Sequence, residues 1–225
     1  MIILAFDTAM GAGSVAVVRD GVSLAQCFEP NGKALAEQLV PMVEATLTQA
    51  GQTYASIDCL GVTIGPGTFT GMRIGISAAR AMALASGKPL IGVSTLEVIA
   101  RQVADAMPDE TRINVCFDAR RGEVYQQSFE RTSEDDLLPL SEPGVYLHAV
   151  AQEFLARQSG IIIGSGIAVL QNITHLQCVE GYEKINVQTL ASIVAQRPAS
   201  PEMPLPLYLR APDAKLPGGK TLTAS

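Results

Sequence analysis

The chain has 225 residues, of which 48% are hydrophobic and 17% are charged, and its formal net charge is -6 at pH 7. This composition excludes a disordered polar chain and provides enough apolar side chains for one large domain or two small ones. The negative charge, without a stripe of basic residues, disfavours direct binding of a polyanion, so a nucleic acid would be held by another subunit.

The cysteines and the start of the chain bear on metal binding, redox activity and cellular location. The 4 cysteines lie far apart and form no C-x-x-C pair, which disfavours a zinc site or a redox motif. The first residues lack a basic segment followed by an apolar leader, and no apolar run approaches the roughly 18 residues of a membrane span. We therefore expect a cytoplasmic protein with no membrane association, no metal and no cofactor.

Apolar periodicity and glycine turns predict the first elements. Short β-type runs separated by glycine-containing turns predict an opening three-stranded meander at residues 2–6, 14–18 and 22–28. A helical stripe between Lys33 and Ala50 predicts a first amphipathic helix, with apolar residues Leu35, Leu39, Met42, Val43 and Leu47.

The following segment alternates strands and helices. We expect a buried strand, a helix, a short strand and a further helix at residues 60–64, 71–86, 90–93 and from 94 to about 106. Ser94 and Glu97 have the spacing of a capping box, so the Ser94 side chain is expected to cap the last of these helices. The order so far is β-β-β-α-β-α-β-α.

The second half of the chain repeats this order more loosely. Strands are predicted at 112–117, 123–129 and 161–164 and helices at 150–158, just after 164, and at 187–197, with a polar loop after residue 129. The duplication predicts an α/β protein with two similar lobes around a cleft. We expect a first lobe at 1–106, a smaller second lobe at 107–210 and a flexible tail at 211–225, with helix 187–197 packed back on the first lobe.

The glycine loop between the strand at 60–64 and the next helix is the most informative motif. A strand that enters a helix through a glycine-rich turn has the layout of a phosphate cradle. However, Met72 and Arg73 stand where a P-loop has lysine and serine or threonine. A structural role explains the loop equally well, because Thr70 can cap the helix and glycine permits positive φ or close backbone approach at Gly65, Gly67 and Gly71.

Six segments together closely resemble the bacterial TsaB (YeaZ) family. They are ILAFDTA at 3–9, SVAV at 14–17, GPGTFTGMRIG at 65–75, GVSTL at 92–96, DARRGEVY at 118–125 and LYLR at 207–210. The resemblance implies a two-lobed actin-like ATPase (ASKHA, ribonuclease H-like) fold with duplicated β-β-β-α-β-α units, the second lobe being degenerate.

The resemblance also implies a function. It implies a non-catalytic partner that is required, with its catalytic paralog TsaD and the ATPase TsaE, for threonylcarbamoyl transfer to N6 of the adenosine beside the anticodon of tRNAs that read codons beginning with A. Contact with tRNA would be indirect, through the complex. TsaD-type sequences carry an H-x-x-x-H metal pair on the first helix, and the matching stretch 33–41 has no histidine. The alternative is an independent ASKHA-type nucleotide-binding ATPase.

The resemblance suggests a vestigial nucleotide site. Asp7 matches the aspartate at the first phosphate loop of active ASKHA proteins, Thr8 is placed to hydrogen-bond a phosphate, and Gly65 and Gly67 would form the second loop. The competing interpretation is that Asp7 ends a strand and caps the following turn. We interpret Asp118 as a turn residue. For the neighbouring Arg120 and Arg121 three roles remain possible: residues of a hairpin turn, contacts to a partner protein, or contacts to a tRNA phosphate.

One surface of the second helix consists of unusually small side chains, which allow another helix to pack closely against it. Family members pair through their first-lobe helices with themselves and with the catalytic paralog, which implies a homodimer and a heterodimer on one surface. The expected interface residues are Leu35, Leu39, Met42, Val43, Gly71, Gly75, Ala78, Ala79 and Met82.

Overall fold

The computed structural model describes residues 1–132, 136–200 and 202–210, so the predicted tail at 211–225 lies outside the described residues. The helices of the described chain are α1 Leu35–Gln49, α2 Phe69–Ser86, α3 Thr95–Ala106, α4 His148–Leu155 and α5 Val187–Gln196. The strands are β1 Ile2–Asp7, β2 Gly13–Arg19, β3 Val22–Glu29, β4 Cys59–Gly65, β5 Leu90–Ser94, β6 Arg112–Arg120, β7 Glu123–Arg131, β8 Leu137–Pro139, β9 Gly144–Leu147, β10 Ile161–Ile163 and β11 Gln177–Val179.

The strands form two sheets with the same internal order. The first sheet runs β3-β2-β1-β4-β5, with β1 antiparallel to β2 and parallel to β4. The second, read as β8-β7-β6-β10-β11, repeats this arrangement, because β6 is antiparallel to β7 and parallel to β10. The predicted α/β class and the duplicated two-lobed fold are confirmed. The second copy is reduced: β8, β10 and β11 have 3 residues each.

The helices separate the sheets into layers. Alternate residues of β1 face opposite sides, so that Leu4 and Phe6 pack with α1 and α2 while Ile3 and Ala5 pack with α3 and α5. Helix α3 also contacts β6 and β7 of the second sheet, and one continuous apolar cluster that includes α5 therefore joins the two lobes. The outer face of the second sheet is covered by α4. The molecule is thus a stack in the order α1 and α2, sheet, α3 and α5, sheet, α4.

After the second sheet, α5 and the segment that follows it return to the first lobe. Helix α5 packs across β1, β2 and β4, and Gly61 of β4 permits this approach, since a Cβ there would lie 2.7 Å from Val194 Cγ2. The strap, residues 202–210, then crosses both lobes: the Leu207 amide donates to Ile64 O (2.8 Å), and Arg210 Nη1 donates to Ala119 O (3.0 Å). Helix α5 and the strap as far as Leu207 therefore lie against the first lobe.

Several local predictions were wrong. The segment after residue 129, predicted as a polar loop, contains β8 and β9, because both pair with the edge of β7. The Ser94 side chain does not cap α3, and the Glu97 carboxylate pairs with Arg197 instead of the helix start. Tertiary contacts, which a local pattern does not contain, decided these two cases. The short helix expected after residue 164 is present as a 3-10 helix, Ser165–Val169.

Among the residues that the structure describes, no helix is both long and apolar enough to cross a membrane.

Candidate functional site

The glycine loop lies directly against the turn that follows β1. The Thr68 amide donates to Ala9 O (2.7 Å), and Thr8 Oγ1 donates to Gly71 O (2.7 Å). A Cβ at Gly67 would lie 2.9 Å from the carbonyl carbon of Ala9 and would overlap its oxygen. Glycine is required here because the two backbones touch. The glycine loop and the turn after β1 are therefore packed directly against each other.

Helix α2 begins at Phe69, and its cap is Thr68 rather than the predicted Thr70. The Thr68 hydroxyl accepts a hydrogen bond from the Gly71 amide (3.2 Å), which satisfies one of the free amides of the first turn. At the other end, Gly87 has a φ of +68° and closes the helix, as its position in the sequence predicted.

Asp7 is a buried carboxyl group at the end of β1, with an exposure of 2%. Its Oδ1 accepts hydrogen bonds from the Thr63 hydroxyl and from the Ala9 amide (3.0 Å). Burial raises the pKa of Asp7 to about 6, and the hydrogen bonds from Thr63 and Ala9 oppose part of that rise. These contacts are those of a carboxyl group that closes the strand end and orders the following turn.

The assignment of Asp7, Thr8, Gly65 and Gly67 as nucleotide contacts does not fit this packing. The Asp7 and Thr8 side chains are buried and hydrogen-bonded within the chain. The Gly65 position is closed by Met72, since a Cβ on Gly65 would overlap the Met72 sulfur. The structural interpretation of the loop, which the sequence left as an alternative, agrees with each of these contacts.

Most of the expected interface residues belong to the core of the first lobe. The buried members are Leu35, Leu39, Met42, Val43, Gly71, Gly75 and Ala79, while Ala78 and Met82 are half-buried. The apolar stripe of α1 and the small-residue stripe of α2 face each other and the first sheet, and this packing removes them from the surface. Burial of these side chains within the lobe leaves them little surface to offer to another chain.

The surface of these helices carries a different set of apolar side chains. Leu84 of α2 has an exposure of 81%, and Val40 of α1 is also exposed. Phe69, at the start of α2, is exposed as well. We call these residues, with the exposed Ala81 and Ala85 of α2, the outer α1-α2 face. Large exposed apolar side chains on two packed helices are typical of a protein contact surface.

An aromatic cluster borders the outer α1-α2 face. The Arg73 guanidinium lies 3.6 Å from the centre of the Phe69 ring, and its Nε donates to the Tyr208 hydroxyl (2.9 Å). The Phe69 and Tyr208 ring centres are 5.4 Å apart. Tyr208 belongs to the strap, so this cluster attaches the strap to the start of α2. The sequence contained the LYLR motif, but nothing local to it indicated this contact.

The β6-β7 hairpin anchors the other end of the strap. Arg120 and Arg121 both have positive φ, +64° and +58°, and Gly122 completes the turn at +78°. Asp118 Oδ1 accepts the Arg120 amide (2.7 Å), as expected for a turn residue. Arg210 forms an ion pair with Glu123 beside this turn. The predicted hairpin is confirmed, and both arginine side chains lie exposed at its tip.

The histidines and cysteines do not come together. In the described part of the chain, no group of three or more His, Cys, Asp or Glu residues is arranged to hold a metal ion. His175 Nε2 lies 3.1 Å from Leu155 O, far from the glycine loop in the chain. Burial raises the pKa of the Cys59 thiol to about 11 and that of Cys116 to about 12, so both thiols are unreactive at neutral pH.

Comparisons with known proteins agree with one another. A family model described as "TsaD: tRNA N6-adenosine threonylcarbamoyltransferase" matches residues 29–139. The tRNA threonylcarbamoyladenosine biosynthesis protein TsaB of Escherichia coli (strain K12) is 38% identical over 168 residues, covering 74% of this chain and 72% of that protein. The protein of the same name from Bacillus subtilis (strain 168) is 32% identical over 125 residues, covering 56% of this chain and 53% of its own.

Solved structures show the same overall architecture. A Pseudomonas aeruginosa protein described as similar to peptidase YEAZ superposes with a TM-score of 0.76 at 25% identity, covering 93% of this chain and 99% of its own. YeaZ from Pseudomonas aeruginosa superposes with a TM-score of 0.70 at 23% identity, covering 86% and 90% respectively. The likeness therefore extends over both lobes.

Proposed function

This chain belongs to the TsaB family of tRNA threonylcarbamoyladenosine biosynthesis proteins, and from that premise we propose that it is the non-catalytic partner of a threonylcarbamoyl-transferring subunit. Its catalytic partner would be a TsaD-type paralog, and a TsaE-type ATPase would complete the complex. The paralog would transfer the threonylcarbamoyl group to N6 of the adenosine beside the tRNA anticodon.

The filled glycine loop is the observation that carries the non-catalytic role. Thr8 and Ala9 of the turn after β1 are hydrogen-bonded directly to the loop and to the start of α2. A phosphate-binding loop needs free amides and a cation that face the phosphate. Here the Thr68 amide is already bonded, and Met72 stands where a P-loop has its lysine. These features support a scaffold that retains the fold of a nucleotide-binding protein without its chemistry.

We place the paralog on the outer α1-α2 face. The family model that matches residues 29–139, a range that contains both helices, is described as TsaD, so a TsaD-type protein shares the fold of this segment. Two related chains can pair through equivalent elements in a nearly two-fold arrangement, and a second copy of this chain can use the same face. A standard interface of this kind buries on the order of 1,200–2,000 Å². The homodimer and the heterodimer would then exclude each other.

The charge of the chain supports indirect contact with tRNA. The formal net charge is -6, which opposes binding of a polyanion by this subunit alone. Arg120 and Arg121 are exposed at one hairpin tip, and they can touch tRNA only where a partner already holds it. We therefore assign tRNA binding to the complex rather than to this chain.

A reconstituted modification assay tests the proposal. The full chain would be combined with a TsaD-type protein, a TsaE-type protein, a threonylcarbamoyl-adenylate synthase, ATP and unmodified tRNA, with each protein omitted in turn. We expect modified adenosine, measured by mass spectrometry, only when this chain and the paralog are both present. ATP turnover by the isolated chain that disappears in Asp7→Ala would favour the independent ATPase instead.

Two matched variants test the surface. Leu84→Arg places a charge on the outer α1-α2 face, while Val22→Arg places the same charge on an exposed apolar residue of β3. Leu84→Arg should fold normally, lose the paralog in a pull-down and lose modification activity, because a buried unpaired charge opposes the contact. Val22→Arg should behave as wild type. Equal binding by both variants would place the interface elsewhere on the molecule.

A further inference from the structure

Arg73 of α2 carries a positive charge that no described acidic residue pairs with. Its side chain is exposed, its Nε donates to the Tyr208 hydroxyl (2.9 Å), and its two Nη groups donate to no described residue. Two arginines near the strap differ in this respect, because Arg120 pairs with Asp118 (3.3 Å) and Arg210 pairs with Glu123. Arg73 therefore retains the donors of both Nη groups for another molecule.

The guanidinium of Arg73 is fixed before any such contact forms. It lies 3.6 Å from the centre of the Phe69 ring and 5.8 Å from that of the Tyr208 ring. The strap holds Tyr208 from both sides, since the neighbouring Leu207 amide donates to Ile64 O (2.8 Å) and Arg210 is bonded to the β6-β7 hairpin. A long side chain that is already ordered loses less conformational entropy on binding than a mobile one.

Apolar surface surrounds this fixed charge. Phe69 and Tyr208 are each 41% exposed, and Phe69 belongs to the outer α1-α2 face. Arginine and tyrosine are enriched among the residues that dominate protein interfaces, where neighbouring groups exclude water from the central contact. A partner that covers these rings would also bury Arg73, and a buried guanidinium requires a matching acceptor.

The surroundings favour a protein carboxylate as that acceptor. A guanidinium binds carboxylate and phosphate groups equally well in geometry. However, the exposed rings beside Arg73 gain from an apolar partner surface, and the net charge of -6 opposes a polyanion. The charged residues of α2 are Arg73 and Arg80, so α2 of a second copy of this chain supplies no carboxylate.

We propose that Arg73 receives an aspartate or glutamate side chain of the TsaD-type paralog, and that Tyr208 of the strap positions Arg73 for this contact. This inference rests on the proposed function and adds to it the chemical group that the partner contributes. The carboxylate accepts hydrogen bonds from both Nη groups, while Phe69 and Tyr208 exclude water from the pair. The strap is then part of the contact surface, beside the outer α1-α2 face.

Binding of the full chain to a TsaD-type protein, measured by calorimetry, tests this contact. Arg73→Lys keeps the charge but removes the planar fork, and it should weaken binding about tenfold, the effect of losing one hydrogen bond to a charged group. Tyr208→Phe keeps the ring but removes the hydroxyl that holds Nε, and it should weaken binding about threefold.

Arg19→Lys is the matched control. Arg19 is exposed, and it pairs with Ile2 at the end of the first sheet opposite to Asp7 and the glycine loop. The same substitution there should leave binding unchanged. All three variants should melt within a few degrees of wild type, because they alter exposed groups. If Arg73→Lys fails to fold, Tyr208→Phe decides.

A charge swap separates direct pairing from a structural role of Arg73. Arg73→Glu should lose binding to the wild-type paralog. Exposed aspartate and glutamate residues would then be replaced by arginine, one at a time, in the paralog segment equivalent to residues 29–139 of this chain. One such replacement should restore binding to Arg73→Glu, because a disordered strap could not be repaired by a charge on the partner. Failure of every replacement to restore binding would overturn direct pairing.

The outcomes distinguish this inference from the proposed function. If the wild-type chain binds the paralog and Arg73→Lys binds equally well, the inference is overturned and the partner function stands. If the wild-type chain does not bind the paralog, the partner function fails and the inference fails with it. Two further results would overturn the inference alone, each with paralog binding intact in Arg73→Lys: weaker self-association in sedimentation, or weaker tRNA retention by the complex in filter binding.

Discussion

Replacing Gly71 with alanine tests whether the glycine loop exists for backbone contact or for a ligand. Within a helix, this change normally stabilises a protein by roughly 0.5–1 kcal/mol, because glycine has more conformational freedom to lose. In α2 the new methyl group would lie 2.6 Å from Thr68 Oγ1 and 3.1 Å from the carbonyl carbon of Thr8, and it would overlap the Thr8 oxygen. Both neighbours are fixed, since Thr68 caps the helix and Thr8 donates to the Gly71 carbonyl.

The expected result is therefore a loss of stability. Overpacking of a filled site costs about 1–3 kcal/mol, and overlap with a fixed backbone oxygen selects the upper part of that range, about 2–3 kcal/mol. Subtracting the usual gain of roughly 0.5–1 kcal/mol from alanine leaves a net loss of about 1–2.5 kcal/mol. For a chain of this length the melting temperature should fall by about 2–10 °C. The cap and the contact with the turn after β1 would be disturbed together.

Urea unfolding and calorimetry measure the effect, with Ser77→Ala as the matched control on the exposed side of the same helix. The control should change the free energy of unfolding by no more than about 0.5 kcal/mol. A Gly71→Ala protein as stable as wild type, or more stable, would refute close approach as the reason for glycine. If stability stayed intact while ATP or ADP binding disappeared, the loop would be a phosphate site.

Three further predictions concern buried and bridging groups. Because burial raises the pKa of Asp7 from 3.8 to about 6, the folded state holds that proton more tightly, and stability should fall by about 3 kcal/mol as pH rises from about 4 to about 6. Asp7→Asn should remove this pH dependence of the free energy of unfolding, measured in urea. If wild type and Asp7→Asn showed the same dependence on pH, the raised pKa of Asp7 would be wrong. Arg210→Ala and Glu123→Ala should show a coupling of about 1 kcal/mol in a double-mutant cycle, since their ion pair is largely shielded from water, whereas additive effects would mean that the strap is not anchored there. A thiol reagent at about pH 8 should modify the exposed Cys178 long before Cys116, whose buried thiol has a pKa of about 12, and equal rates would indicate that the second lobe opens.

The sequence was a reliable guide wherever a local pattern has one structural solution. Period-two and helical apolar spacing located β1 to β7 and α1 to α3 within a few residues, and the repeat of that order predicted two related lobes. Glycine at the end of α2 and in the β6-β7 hairpin was assigned correctly, because positive φ at a turn is a local requirement. The family resemblance likewise rests on local motifs, and the comparisons agree with it.

Only the tertiary structure decided what each helix face contacts. The apolar stripe of α1 and the small-residue stripe of α2 are equally suited to a partner and to their own sheet, and the folded chain buries both against the first sheet. The sequence of the glycine loop has the layout of a phosphate cradle, but in the fold its backbone contacts Thr8 and Ala9, which are about 60 residues earlier in the chain. Ser94 and Glu97 have the spacing of a capping box, yet Glu97 pairs with Arg197, 100 residues away. Periodicity and capping rules describe neighbours in sequence, whereas these outcomes depend on contacts between segments that only the packing of the two lobes brings together.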